Sequence, residues 1–92
     1  MPEESTTEDW TRSLDLVNRL TSRQLEVFLL LGRGMSNRSI ALALVVSEHT
    51  VKAHIAKILK ELEVESRLQA GLAAQLYLLG LRERRPGVAG VP

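Results

Sequence analysis

Apolar residues recur every three to four positions along most of the chain, which is the spacing of one face of an α-helix. Four of these stretches follow residues that commonly cap helices, so we expect helices to begin after Thr21, Ser36, Ser47 and Ser66. Thr21 and Gln24 form a capping box, in which each side chain can accept a hydrogen bond from the other residue's backbone N–H. A second box with the same spacing begins at Ser66. Strand-length runs of β-branched or aromatic residues are missing, and the pattern therefore predicts an all-α fold.

The expected helix ends follow from glycine and from the length of each apolar pattern. Gly34 suits the left-handed turn that ends the first helix, and Gly80 is expected to end the fourth. The third helix is expected to end at about Leu62. A further amphipathic helix is expected over residues 7–19, and its apolar side consists of Trp10, Leu14 and Val17.

The chain divides into three segments by composition. Residues 1–19 form an acidic segment, an amphipathic helix or a linker, and residues 20–81 form one small helical domain. Residues 82–92 contain Pro and Gly without periodicity, so we expect a disordered tail. The sequence has neither a long apolar span nor a leader, and we expect a cytoplasmic protein.

Residues 37–62 hold two of the predicted helices, joined by the three residues Val45, Val46 and Ser47. So short a connection requires a steep crossing, which is the geometry of a helix-turn-helix. Neither helix can bury its apolar face alone, so the helices on either side must complete the core.

The third helix separates into an apolar and a basic side when its residues are placed at intervals of 100°. The apolar side, expected in the core, consists of Val51, Ile55, Ile58, Leu59 and Leu62. The opposite side consists of His49, Lys52, Ala53, Ala56, Lys57 and Lys60. Residues 49–60 include no carboxylate, and the small alanines allow close approach, so this side predicts a helix that enters the major groove of DNA. The amide-rich start of the helix near Thr50 suits a phosphate.

The charges of the chain are unevenly distributed. Residues 1–18 carry five carboxylates against one arginine, a net charge of −4, whereas residues 19–60 carry seven Lys or Arg against two Glu, a net charge of +5. A basic middle segment fits a nucleic-acid partner, but it also fits an ordinary solvated surface. The acidic segment 1–18 is an interdomain linker, a partner-docking helix or an arm that competes with DNA for the basic side.

From Leu20 to Ala70 the sequence resembles the LuxR/FixJ-type effector domain of bacterial transcription regulators. The matching residues are Leu20-Thr21, Arg23, Glu26-Val27, Gly34, Ser36-Asn37, Ile40-Ala41, Leu44, Val46-Ser47, Thr50-Val51-Lys52, His54, Ile58, Leu62, Val64, Arg67 and Ala70. The resemblance implies a four-helix LuxR-type helix-turn-helix domain, to which the helix over residues 7–19 is an addition. It also implies that Lys52 and Ala53 project into the major groove, and that phosphate contacts lie near Thr50 and around Ser36 and Asn37.

The sequence departs from that family at three positions. Ser39 and Gln24 stand where the family usually has glutamate, and Glu61 stands where a basic residue is common. Loss of the acid at Ser39 puts in doubt an internal salt bridge with Arg23 or Arg67. None of the three lies among the central DNA-facing positions.

The fourth helix is apolar on two sides. One stripe, Leu68, Leu72, Leu76 and Leu79, is expected to face the core. The other, which consists of Ala70, Ala73, Ala74, Tyr77 and Leu81, is expected to form a homodimer interface, and the resemblance implies the same helix. The alternative is that the helix containing Trp10 folds over the alanine stripe within one chain.

No enzyme, metal site or cofactor is predicted. The chain has no cysteine, and His49 and His54 are five positions apart, so they diverge by about 140° on a helix and cannot share a metal. The sequence predicts a bacterial transcription regulator that binds double-stranded DNA as a homodimer, with RNA polymerase as a further candidate partner and no membrane partner. Two alternatives stay open, a sigma-factor region and an interaction module whose basic side docks an acidic protein.

Overall fold

A computed structural model describes residues 10–84 of the 92, with side chains described up to residue 80. The described part is helical: α1 covers residues 10–16 and continues into a 3-10 turn, Val17–Arg19. It is followed by α2 (Ser22–Gly32), α3 (Asn37–Leu44), α4 (Glu48–Leu62) and α5 (Arg67–Arg84). The predicted all-α fold is confirmed, including the additional N-terminal helix. The predicted start of that helix before residue 10 and the tail 85–92 lie outside the described residues.

The helix starts follow the predicted caps. The Thr21 hydroxyl accepts from the Gln24 N–H at 3.1 Å, and the Gln24 side chain accepts from the Thr21 N–H at 3.0 Å, so both halves of this capping box form. Ser36 and Ser47 each accept a hydrogen bond from the N–H three residues on. These contacts are local, which is why the sequence alone could predict them.

The second capping box forms only in part. The Ser66 hydroxyl accepts from the Gln69 N–H at 3.2 Å, as expected. The Gln69 side chain, however, accepts from the N–H of Glu65 at 2.6 Å rather than from that of Ser66. The reciprocal contact therefore lies one residue earlier in the chain than predicted.

The glycines at the predicted helix ends behave differently. Gly34 has a φ of 76° and follows Arg33, the residue that caps the end of α2, as expected. Gly80 does not end α5, which continues to Arg84, so residues 82–84 are helical rather than disordered. A glycine within a helix lowers the stability of that helix by only about 1 kcal/mol relative to alanine. Gly80 alone is therefore not enough to end α5.

The core is formed where four elements meet α4. This helix contacts α2, α3, α5 and the 3-10 turn, and α2 packs along the length of α5. The largest fully buried side chains are Phe28, Ile40, Ile58, Leu62, Val27 and Val51. The helix-turn-helix formed by α3 and α4 is thus enclosed by the flanking helices, as predicted.

The prediction for the faces of α5 is wrong. Ala70, Ala73 and Ala74 are fully buried inside the chain and cannot form a surface between two copies. Tyr77 is half-buried, and its ring lies edge-to-face with Phe28 at a centroid distance of 6.1 Å. The side chain of Leu81 is outside the described part.

Two glycines explain why the alanine stripe faces inward. A Cβ added at Gly32 would lie 2.6 Å from the Cβ of Ala74, and one added at Gly71 would lie 3.0 Å from the Leu31 carbonyl oxygen. The backbones of α2 and α5 therefore approach each other closely, and only small side chains fit between them. The Gln75 side chain also donates to the Gly32 carbonyl across this contact.

The leucine stripe of α5 consequently faces outward. Leu68, Leu72, Leu76 and Leu79 are between 40% and 70% exposed. The helix α1 does not cover the alanine stripe, because α2 occupies that side. Trp10 lies instead beside Glu63 and Leu72, near the end of α4. None of the described helices combines the length and apolarity that a membrane span requires.

Candidate nucleic-acid interface

The basic side of α4 is exposed, as its sequence pattern predicted. His49, Lys52, Ala53, Ala56 and Lys57 are exposed along it, and Thr50 and His54 are half-buried at its edges. On the opposite side, Val51, Ile58 and Leu62 are fully buried, which fixes the rotation of the helix about its axis. All seven predicted residues of α4 therefore lie on or beside one accessible surface.

This surface carries unneutralised positive charge. Lys52, Lys57 and Lys60 form no ion pair with any other described residue. The nearest carboxylates in the sequence, Glu48 and Glu61, lie just outside the basic stretch. The small side chains of Ala53 and Ala56 leave the helix backbone accessible between the lysines.

The starts of α3 and α4 share one arrangement of hydroxyls. The Ser47 hydroxyl accepts from the Thr50 N–H and donates to Thr50 Oγ1, both at 3.0 Å. The Ser36 hydroxyl makes the same two contacts with Ser39, both at 3.1 Å. Because Thr50 Oγ1 accepts in this arrangement, its own hydrogen can be donated to an external acceptor such as a phosphate oxygen.

Asn37 is held by α5. Its side-chain oxygen accepts from the Arg67 guanidinium at 2.6 Å, and another Arg67 nitrogen donates to the Met35 carbonyl at 3.0 Å. Only the NH₂ group of Asn37 is then available as a donor. Neither arginine that an acid at position 39 could have paired with lacks a partner. Arg67 has the neutral partners Asn37 and Met35, and Arg23 pairs with Glu26 at 3.4 Å.

Arg38 belongs beside this surface and is not among the residues predicted from the sequence. It is exposed in the first turn of α3 and lines a cleft of about 760 Å³ with Asn37 and Arg67. It forms no ion pair within the described part of the chain. Its position two residues after the Ser36 cap was the signal that could have identified it.

The far end of α4 carries two ion pairs with the N-terminal segment. Glu63 pairs with Arg12 and Glu61 lies 4.0 Å from Arg19, and both glutamate side chains remain in contact with solvent. Hydrogen bonding from Arg12 lowers the pKa of Glu63 below its ordinary value, although some desolvation opposes the shift. The same hydrogen bond raises the pKa of Arg12.

No constellation for a metal ion is formed by the described residues. Among the side chains of residues 10–80, no three His, Cys, Asp or Glu converge as ligands. His49 is exposed on the basic side of α4 and His54 is half-buried at its edge, in keeping with their separation of about 140° around the helix.

Comparison with known proteins agrees with this geometry. Residues 18–74, more than half of the chain, match the family described as bacterial regulatory proteins, luxR family. An uncharacterized transcriptional regulatory protein, YhcZ of Bacillus subtilis, is 46% identical over 61 residues, which cover 66% of this chain and 28% of that protein. The response regulator protein VraR of Staphylococcus aureus is 43% identical over 60 residues, which cover 65% of this chain and 29% of that protein.

The chain thus spans less than a third of the length of these relatives. The matched region contains α2, α3, α4 and the first half of α5, whereas α1 precedes it. The chain belongs to the luxR family of bacterial regulatory proteins, a family of DNA-binding transcription regulators and not of enzymes.

Proposed function

We propose that this chain binds double-stranded DNA sequence-specifically, as a regulator of transcription, with α4 in the major groove. The single observation that carries the proposal is the exposed, basic and small-residue side of α4, fixed in place by a fully buried opposite side. A B-DNA major groove is about 12 Å wide and admits one helix.

The residues of this surface have distinct proposed roles. Lys52 and Ala53 face the base edges, with Ala56, Lys57, His49 and His54 around them. Thr50 and Asn37 donate to phosphates, and Arg38 adds a cationic contact beside them. The Ser36 hydroxyl already donates to Ser39 Oγ, so Ser36 acts there by orienting Ser39, whose own hydroxyl hydrogen is free to be donated to a phosphate. The exposed side of α4 contains no Arg, Asn or Gln, so few of its side chains can make bidentate base contacts. We therefore expect modest specificity per half-site, with DNA shape supplying part of the discrimination.

We further propose that two copies associate through the exposed leucine stripe of α5, which replaces the alanine stripe of the sequence prediction. Four leucines on one side of one helix, all at least 40% exposed, form an apolar row that a second identical row can cover. Such a dimer would place two α4 helices about 34–36 Å apart, one turn of DNA. RNA polymerase stays a candidate partner, and the cytoplasmic location stays a prediction.

The test is to titrate the double variant Lys52→Ala, Lys57→Ala with duplex DNA and to compare its affinity with that of the parent chain. The target is a duplex selected from a random library with the parent chain. We expect binding to weaken by about tenfold to a hundredfold, because one base contact and one phosphate contact are lost. Arg23→Ala is the control, since it removes a positive charge from α2, a helix that contributes no residue to the proposed surface.

The same titration distinguishes DNA binding from the alternative function, an interaction module for an acidic protein. A parent chain that fails to bind any duplex at low salt would favour a module whose basic side docks an acidic protein. The affinity for the selected duplex should fall steeply as the salt concentration rises, and the slope should increase with the number of phosphates contacted. Binding by the double variant as tight as that of the parent would show that α4 is not the recognition helix.

A further inference from the structure

The C-terminal end of α4 is completed by a side chain from α1. The last carbonyls of a helix have no partner within it and need other donors. The Val64 N–H bonds to the Leu59 carbonyl at 3.0 Å, and the Glu63 N–H bonds to the Lys60 carbonyl at 3.2 Å. The carbonyl of Leu62 accepts instead from the Ser13 hydroxyl at 2.9 Å, and Ser13 is only 3% exposed.

The residue before Ser13 holds the same point through its side chain. Arg12 donates to both carboxylate oxygens of Glu63, at 2.6 Å and 2.9 Å, and such paired contacts fix orientation as well as distance. Glu63 has a φ of 59°, a backbone conformation that residues other than glycine rarely adopt. The two consecutive side chains therefore fix both the main chain and the side chain at the point where α4 ends.

Apolar packing supports these polar contacts. Leu16 and Val17, which follow in the same segment, are 6% and 3% exposed, and the 3-10 turn that begins at Val17 contacts α4. We name residues 10–17 the α1 clamp. The whole of the clamp, including Arg12 and Ser13, precedes the part of the chain that matches the luxR family, which begins at residue 18.

We propose that Arg12 and Ser13 are positioning residues for DNA recognition, which act through Glu63 and Leu62 on the inclination of α4. The inference rests on the proposed function. A helix of 15 residues is a rod about 22 Å long, so movement at its C-terminal end tilts the side chains near its start. Base contacts tolerate such displacement less well than phosphate contacts do, and sequence discrimination is therefore the property that the clamp controls.

Four chains test the ion pair: the parent, Arg12→Glu, the swap Arg12→Glu with Glu63→Arg, and Arg12→Glu with Glu65→Arg. The two double variants have the parent's net charge, but only the swap restores opposite charges at positions 12 and 63. Glu65 is a suitable control site because it is exposed and takes part in no ion pair with another described residue. Each chain is titrated with the duplex selected by the parent and with a random duplex.

We expect Arg12→Glu to reduce the ratio of selected to random affinity by about fivefold to tenfold, because the like charges at positions 12 and 63 repel. The swap should recover the ratio to within about twofold, whereas the Glu65→Arg control should not. An unchanged ratio in Arg12→Glu would overturn the proposal, even if the melting temperature of that variant falls. Recovery in both double variants would overturn it too, since net charge alone would then explain the effect.

Hydrogen exchange tests Ser13 independently of DNA. In Ser13→Ala, we expect faster exchange of the amides at the end of α4, from Leu62 to Val64, with little change in α2. Acceleration of all slow amides by one factor would indicate a general loss of stability and contradict a local role. If the parent bound neither duplex, the proposed function would fail and this role with it, while the exchange data would still show whether the clamp holds the helix end.

Discussion

At the scale of single residues, Glu63 shows how a position in a charge run acquires a specific role. Three glutamates alternate along residues 61–65, a pattern typical of a solvated turn. The fold brings Arg12 to one of them across 51 residues of sequence, and no local pattern predicts such a partner. Val45 is a similar case, because its φ of 58° is dictated by the tight connection between α3 and α4 rather than by its own preference.

The Arg12–Glu63 pair makes stability depend on pH in an acidic window. The pKa of Glu63 is lowered in the folded chain, so the folded state binds fewer protons than the unfolded state. The stabilisation is present above the ordinary value of 4.5 and is lost as the pH falls through the lowered pKa. We expect Arg12→Gln to weaken the dependence of unfolding free energy on pH below 4.5, measured by urea denaturation at a series of pH values.

Arg38→Gln is the comparison for this prediction. It removes the same positive charge from an exposed arginine that forms no ion pair with another described residue. A weaker pH dependence in Arg12→Gln but not in Arg38→Gln would assign the effect to the pair with Glu63. Equal changes in the two variants would contradict a particular role for Glu63.

At the scale of the elements, the helices were predictable and the faces of α5 were not. Caps at Thr21, Ser36 and Ser47 depend on contacts within three residues, so the sequence specifies them directly. The two apolar stripes of α5 have the same helical spacing, and periodicity cannot say which one faces inward. The close approach at Gly32 and Gly71 decides between them, and it is a property of two helices together.

This contact predicts opposite effects for two glycine substitutions. Gly32→Ala should destabilise the fold by about 2 kcal/mol, because the new methyl group would overlap the Cβ of Ala74 and the helices must separate. Gly80→Ala meets no atom within 4 Å and should stabilise the fold by about 0.5 to 1 kcal/mol through helix propensity. Urea denaturation of both variants measures the difference, and a stabilising Gly32→Ala would show that the two backbones are not in close contact.

At the scale of the whole molecule, the proposed DNA surface and the proposed dimer surface lie on different helices. The exposed side of α4 is basic, and the exposed side of α5 is a row of leucines. The sequence predicted which side of α4 is exposed, whereas for α5 it predicted the opposite side. Arg67 and Arg12 connect these surfaces to the remainder of the chain through partners that lie 30 or more positions away in the sequence. Such distant partners could not be predicted from the sequence.

Sedimentation tests the dimer. The parent should approach twice its mass of 10.2 kDa as its concentration rises, or bind a selected duplex as two copies. Leu72→Glu with Leu76→Glu should prevent association, because two buried carboxylates without partners would face each other across the interface. Leu42→Glu is the control, since Leu42 is 71% exposed on α3 and outside the stripe. A parent that stays at the mass of one chain under both conditions would rule out the α5 interface.

The position of Trp10 makes its fluorescence sensitive to two structural changes. It is the only tryptophan among the 92 residues, and it lies half-buried in a small cleft with Glu63 and Leu72 as neighbours. Its emission therefore reports the local polarity at one known point, where α1 meets the end of α4 and Leu72 of the leucine stripe. Departure of α1 would expose the indole to water and shift the spectrum to the red, whereas a second chain covering Leu72 would shift it to the blue. One unlabelled chain can thus signal both events in opposite directions.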